Sequence, residues 1–178
     1  MKAWRLYDLG DYRFEEVPLP EIKPGWALVK VKVVQIAALE VDHMKGISHG
    51  HAITPTIRKM LSEGKTVRLG HEFCGEVVEI GQGVTTLKVG DRVSYAGLFP
   101  CGTCVGCRSG KECLSRLALG GAIPGAFAEY TCVPEQGLEK IPDGPTDNEV
   151  AAIQPLRDCA HQVRSADIKM GDTIVVLG

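Results

Sequence analysis

The chain has 178 residues, of which 44% are hydrophobic and 24% charged, and its net charge is −2. That length and composition suit a soluble globular core, and the small negative charge gives a nucleic acid or an anionic membrane nothing to bind. No apolar run approaches a membrane span, and the opening MKAWRLYDLGDYRF lacks the apolar core of an export signal. A cytoplasmic location is therefore expected, with the seven cysteines present as reduced thiols or metal ligands.

In chain order, residues 2–7 and 12–17 read as two strands around the turn Leu9-Gly10-Asp11. Pro18, Pro20 and Pro24 mark an irregular connection. From Trp26 to Ala38 the apolar Val29, Val31 and Val33 alternate with lysines before the run turns wholly apolar, which predicts a long strand. Glu40 to Gly46 reads as a polar turn. A loop with His49 and His51 follows, and PTIRKMLSEG reads as a short helix stopped by Gly64. The two histidines are either a metal-binding pair or solvated loop residues.

GHEFCGEVVEIG, VGDRVSYAG and FAEYTCVP then predict three further strands, and LEKIPDGP closes the β-rich part. At least six strands and one short helix up to Pro145 predict a mainly β, barrel-like core. Beyond it the character changes. Val150, Ala151, Ile153, Leu156, Ala160 and Val163 recur at helical spacing between Asp147 and Ala166, with a break or a new first turn at Pro155. GDTIVVLG is the short β-branched run expected of a strand buried on both faces of a parallel sheet. No partner strands for such a sheet remain, so the chain is expected to be truncated before a second domain. Left exposed, TIVVLG is expected to pair with another copy or to be disordered.

Chemistry concentrates in Cys101-Gly-Thr-Cys104-Val-Gly-Cys107, followed by Cys113. Thiolates are the soft ligands that zinc selects, and Zn²⁺ takes four donors in a tetrahedron. C-x2-C steps let one loop wrap a single ion, and the intervening glycines permit its turns. The alternative is a reduced cysteine-rich loop without metal.

Taken together, GHEFCGEVVEIG (70–81), VGDRVSYAG (89–97), CGTCVGCRSGKEC (101–113), GAFAEYTCVP (125–134) and MGDTIVVLG (170–178) resemble the N-terminal half of a zinc-type alcohol dehydrogenase of the medium-chain dehydrogenase/reductase family. The resemblance implies a GroES-like, partly open β-barrel over residues 1–146, with a structural-zinc lobe at about 98–120. Residues 147–178 would be an interdomain helix and the first strand of a truncated Rossmann domain. It implies hydride transfer between a small alcohol or carbonyl and NAD or NADP, a homo-oligomer, and a fragment inactive alone. It also implies a catalytic zinc acting as a Lewis acid in a cleft between two domains.

By this match Cys101, Cys104 and Cys107 are ligands of the structural zinc, while the family's fourth cysteine falls on Ser115 and Cys113 stands two residues early. His71 is the candidate catalytic-metal ligand, with Glu72 its acidic neighbour. The family's first ligand, a cysteine, is replaced within Ala37-Ala38-Leu39-Glu40, and its hydroxyl relay is gone. Asp158 falls where a third ligand is expected. Either Glu40, His71 and Asp158 form an oxygen-rich metal site, or that site holds no metal and Glu40 serves as acid/base or pairs with Arg157 or Lys45. Gly178 would begin the dinucleotide fingerprint. The alternatives to an alcohol or polyol dehydrogenase are a metal-free relative, such as an enoyl or quinone reductase, and a stand-alone binding domain.

Overall fold

The computed structural model describes residues 1–45, 47 and 53–176. His49, His51 and Gly178 lie outside the described residues. The chain opens with an antiparallel hairpin, β1 (Lys2–Asp8) and β2 (Asp11–Glu16), in which Trp4, Tyr12 and Phe14 stack on one face. Five strands form the main sheet: β3 (Trp26–Gln35), β4 (Glu72–Ile80), β5 (Arg92–Tyr95), β6 (Tyr130–Pro134) and β7 (Leu138–Lys140). Their order is β6-β3-β4-β5-β7, antiparallel throughout. The β3–β4 register slips twice, between Leu28 and Val29 and between Val31 and Val33. Such bulges bend a strand and increase its twist, and they curl this sheet into the expected half-barrel.

Val29, Phe73, Val77, Val93, Phe99 and Val133 lie inside the curl. A second cluster, Leu6, Ile57, Val67, Leu69 and Phe127, ties the hairpin and helix α2 (Ile53–Ser62) to the sheet. The segment before β4 is threaded against the one before β6. Phe127 N donates to Leu69 O at 3.0 Å and Gly125 N to Arg68 O at 2.7 Å. At Gly125 an added Cβ would lie 2.2 Å from Leu69 O and 2.6 Å from Gly70 O. These are backbone atoms that cannot rotate away. Gly125→Ala is therefore expected to destabilise the fold by about 3 kcal/mol, measured as a shift in the urea midpoint at constant m.

Two expectations need correction. Glu40 to Gly46 is not a polar turn, because Ala38–Lys45 forms helix α1. Its start has no Ser, Thr, Asp or Asn at the cap; instead Glu40, at the third helical position, reaches back to accept from Ala37 N at 3.0 Å. That contact also ends β3 at Gln35, earlier than the apolar run suggests. Residues 173–176 form no strand and are exposed. A buried parallel strand needs neighbours for its N–H and C=O groups, and no described strand pairs with this segment.

The helical expectation after Asp147 holds, divided into α4 (Asp147–Ala151) and α5 (Ile153–Ser165) at Ala152. Thr146 and Glu149 form a reciprocal capping box on α4. Pro155 sits in the first turn of α5, where its missing N–H has no intrahelical role. α4 buries Val150 and Ala151, but α5 buries nothing, and its Leu156 and Val163 face solvent.

Candidate functional site

Four thiols meet in the loop between β5 and β6. Cys104 caps the short helix α3 (Val105–Arg108), its Sγ accepting from Cys107 N at 3.4 Å. Cys101 Sγ accepts from Cys104 N at 3.4 Å, and Cys113 Sγ from Cys101 N at 3.3 Å. The sulfurs of Cys101, Cys104, Cys107 and Cys113 all lie within 4.8 Å of one another, and none is in a disulfide. The spacing of the first three predicted this cluster. The structure brings Cys113 to it as the fourth member, two residues before Ser115. Backbone N–H groups of Thr103 and Cys104 favour the Cys101 thiolate and hold it down to about 6. A thiolate-rich tetrad of this size suits a four-coordinate structural zinc.

The second constellation is built where α1 meets the start of β4. Gly70 precedes His71 in a left-handed conformation, φ +97°, and a Cβ there would lie 2.8 Å from Phe127 N. Only glycine permits both the turn and the close approach. The turn presents His71 to α1, and Glu40 Oε1 stands 2.5 Å from His71 Nδ1. The Glu40 side chain is 2% exposed and that of His71 18%. Burial draws the His71 pKa down, but the hydrogen bond and charge of Glu40 more than offset it, so the imidazole sits above its usual value. Glu72 is buried too, and its Oε1 is 3.9 Å from His71 Nε2. Burial raises the Glu72 carboxyl, and its Oε2 has no hydrogen-bond partner among the described residues. The Tyr95 ring stands edge-on to the imidazole.

Asp158 is not part of a metal-binding group here. Its side chain is half exposed, accepting from Gln154 Nε2 at 2.5 Å and pairing with Arg157 at 3.0 Å. Arg157 in turn reaches across Gly97 and donates to Ala96 O. The expected trio of Glu40, His71 and Asp158 therefore does not assemble. Glu40 is spent on Nδ1, which makes it the partner that orients the ring. Among the described residues, the four cysteines are the only group of three or more potential ligands close enough to share an ion. A catalytic zinc takes three protein ligands. His71 Nε2 and Glu72 supply two, so these residues do not fit one. Cys74 and Cys132 are both buried, as free cysteines usually are. Arg157, one of the partners expected for Glu40, pairs with Asp158 instead, and Tyr95, which packs on His71, is marked by no local motif in the sequence.

The family model of the alcohol dehydrogenase GroES-like domain matches residues 23–143. The chain belongs to this family. It is 35% identical over 166 residues to the L-threonine 3-dehydrogenase of Rhizobium rhizogenes, covering 92% of this chain and 45% of that protein. The solved 2R,3R-butanediol dehydrogenase of Bacillus subtilis is 34% identical with a TM-score of 0.77, over 97% of this chain and 49% of its own. A candidate zinc-binding dehydrogenase from Sinorhizobium meliloti 1021, bound to NADP, is 33% identical with a TM-score of 0.77, over 97% and 47%. The chain thus spans about half the length of the relatives it matches.

Proposed function

We propose that this chain is the substrate-side half of an NAD(P)-dependent dehydrogenase that moves hydride between a small alcohol and its carbonyl, and that it does not turn over alone. In this reading residues 1–146 are the catalytic domain and 147–178 lead into a nucleotide-binding one, with the exposed apolar face of α5 waiting to be covered. The observation that carries the reading is the oriented imidazole at the mouth of a GroES-like sheet. Threonine and butanediol dehydrogenases among the relatives support a small alcohol or polyol as substrate. No helix among the described residues is long and apolar enough to cross a membrane. A cytoplasmic homo-oligomer belongs to the same proposal.

In this scheme Cys101, Cys104, Cys107 and Cys113 hold a zinc ion that cross-links their lobe. A bound nicotinamide supplies or accepts the hydride. The chain's own residues manage the proton. Glu40 holds Nδ1 of His71, leaving Nε2 to take the proton of the alcohol in one direction and return it to the carbonyl in the other. Glu72, its Oε1 3.9 Å from Nε2, adds negative charge that favours the imidazolium. The donor count around His71 also supports a second reading, a metal-free reductase, in which the same histidine protonates the reduced product.

Two measurements test these proposals. The full chain is expected to show no NADH oxidation with acetoin, acetaldehyde or 2-amino-3-ketobutyrate; turnover with any of them would sink the claim of inactivity. Elemental analysis is expected to give one zinc per chain, retained in His71→Ala and lost in Cys104→Ser. Two per chain, with one lost in His71→Ala, would restore a catalytic metal.

A further inference from the structure

On the outer side of the hairpin a cleft of about 310 Å³ is lined by Arg5, Thr66, Arg68, Val17, Pro20 and Pro124 among others. None of its lining residues belongs to the His71 constellation or to the cysteine lobe. Its floor is fixed by the backbone. Val67 exchanges hydrogen bonds with Leu6 at 2.8 and 3.0 Å, and Arg68 O accepts from Gly125 N at 2.7 Å. Val67 and Leu69 point into the core, so extended-chain alternation sends the Arg68 side chain the other way, to the cleft.

Met1 also lines the cleft, its terminal ammonium donating to Val17 O at 2.8 Å, and the two arginines there differ in kind. Arg5 is fully engaged, with Nε donating to Thr66 Oγ1 at 2.8 Å and Nη1 paired with Glu15 at 2.8 Å. The Arg68 side chain has no hydrogen-bond or ion-pair partner among the described residues, and its Nε is closed off from solvent. Burial first, and the neighbouring Arg5 second, bring its pKa down to about 10. A guanidinium has five donors in a rigid fork matched to carboxylate and phosphate. Holding one half-buried, unpaired and beside a like charge is unfavourable unless an anion completes it. The volume is at the small end of ligand pockets, and Val17 and the prolines give it an apolar wall.

We propose that this cleft binds a small organic anion, with Arg68 as the anchor for its oxyanion and Val17, Pro20 and Pro124 against its apolar body. The site does not depend on the dehydrogenase reading. The shared chemistry is an oxyanion on a short carbon body, carboxylate or phosphate ester, and the probes separate the two.

The test is a titration of the full chain with butyrate, and separately with propyl phosphate, at constant ionic strength, following arginine Nε–Hε signals by NMR. The Arg68 signal is expected to shift and saturate with at least one probe, while that of Arg13, exposed and paired with Asp11, stays put. Saturation with butyrate alone assigns a carboxylate ligand, and with propyl phosphate alone a phosphoryl one. Arg68→Met is expected to weaken binding at least tenfold. Without anion, the variant should melt no lower than the parent, since an unpaired cation has been removed. Equal, unsaturating shifts at Arg68 and Arg13 would overturn the proposal even if the variant failed to fold. So would unchanged affinity in a folded Arg68→Met.

Discussion

Stripping metal from the full chain is expected to unlock the cysteine lobe and lower the melting temperature by roughly 10 °C. The lobe has little core of its own, since Leu98, Val105 and Leu114 are 60%, 70% and 74% exposed. The bridge between Phe99 and Leu117 closes its base, and the buried Phe99 and Leu119 pack into the core of the sheet. What remains at its centre is four sulfurs. A ligand that binds only the folded form, at about a thousand times its Kd, adds about 4 kcal/mol. For a chain of this size each kcal/mol moves the melting temperature by about 2–4 °C. Hydrogen exchange after chelation should show protection lost at the amides of Cys101, Cys104 and Cys107 while β3 and β4 keep theirs. Substitution identifies the fourth ligand. Cys113→Ser should release the metal and reproduce the chelated melting curve, whereas Ser115→Ala should leave both unchanged. The opposite pair of results would return the fourth position to residue 115, and a chelator without effect would remove the metal from the lobe.

The strands were legible because one face of each is buried: Val29, Val31 and the run through Phe73 report that face, whereas the bulge between Val31 and Val33 breaks the alternation and packs Val34 on the core instead of Val33. The cysteine cluster was legible because short C-x2-C steps leave a metal loop few other ways to close. What sequence spacing does not carry is side-chain direction across the fold. Glu40 and Asp158 were grouped with His71 because they fall where a family pattern puts ligands. In the structure α1 turns Glu40 onto the ring, whereas the first turns of α5 hand Asp158 to Gln154 and Arg157. Helix α1 itself was missed because its cap is made by a glutamate reaching back to an alanine N–H, a signal that looks like any polar residue in a turn. The TIVVLG segment shows the converse. Its composition is that of a strand, but strand conformation is a property of a pair, and residues 173–176 have no strand neighbour among the described residues. Arg68 was passed over for a related reason, since a single arginine in a loop announces nothing until the absence of its partner is seen.

Replacing Glu40 by alanine is expected to cost about 3 kcal/mol of stability and to reverse the way the fold responds to pH. The stability loss follows from taking one member out of a nearly dry pair, which also leaves Ala37 N without its acceptor. The pH response follows from the His71 imidazole. In the parent chain its folded pKa lies above the unfolded value of about 6.5. It therefore binds its proton more tightly when folded. The stability this contributes is fully present below about pH 6.5 and is lost as pH rises through the folded pKa. Burial is the largest influence on this group and acts downward; Glu40 is what outweighs it. With Glu40 gone, burial dominates, the folded pKa drops below the unfolded one, and the histidine now destabilises the fold as pH falls. Urea melts of the parent between pH 5 and 8 should thus show a contribution that weakens toward high pH, and Glu40→Ala one that weakens toward low pH. Glu40→Gln separates the two effects. It keeps an oxygen for Ala37 N and most of the packing, so it should recover much of the stability while His71, followed by NMR, still titrates below the parent. A His71 titration unchanged in both variants would remove Glu40 as the group that orients and charges the ring.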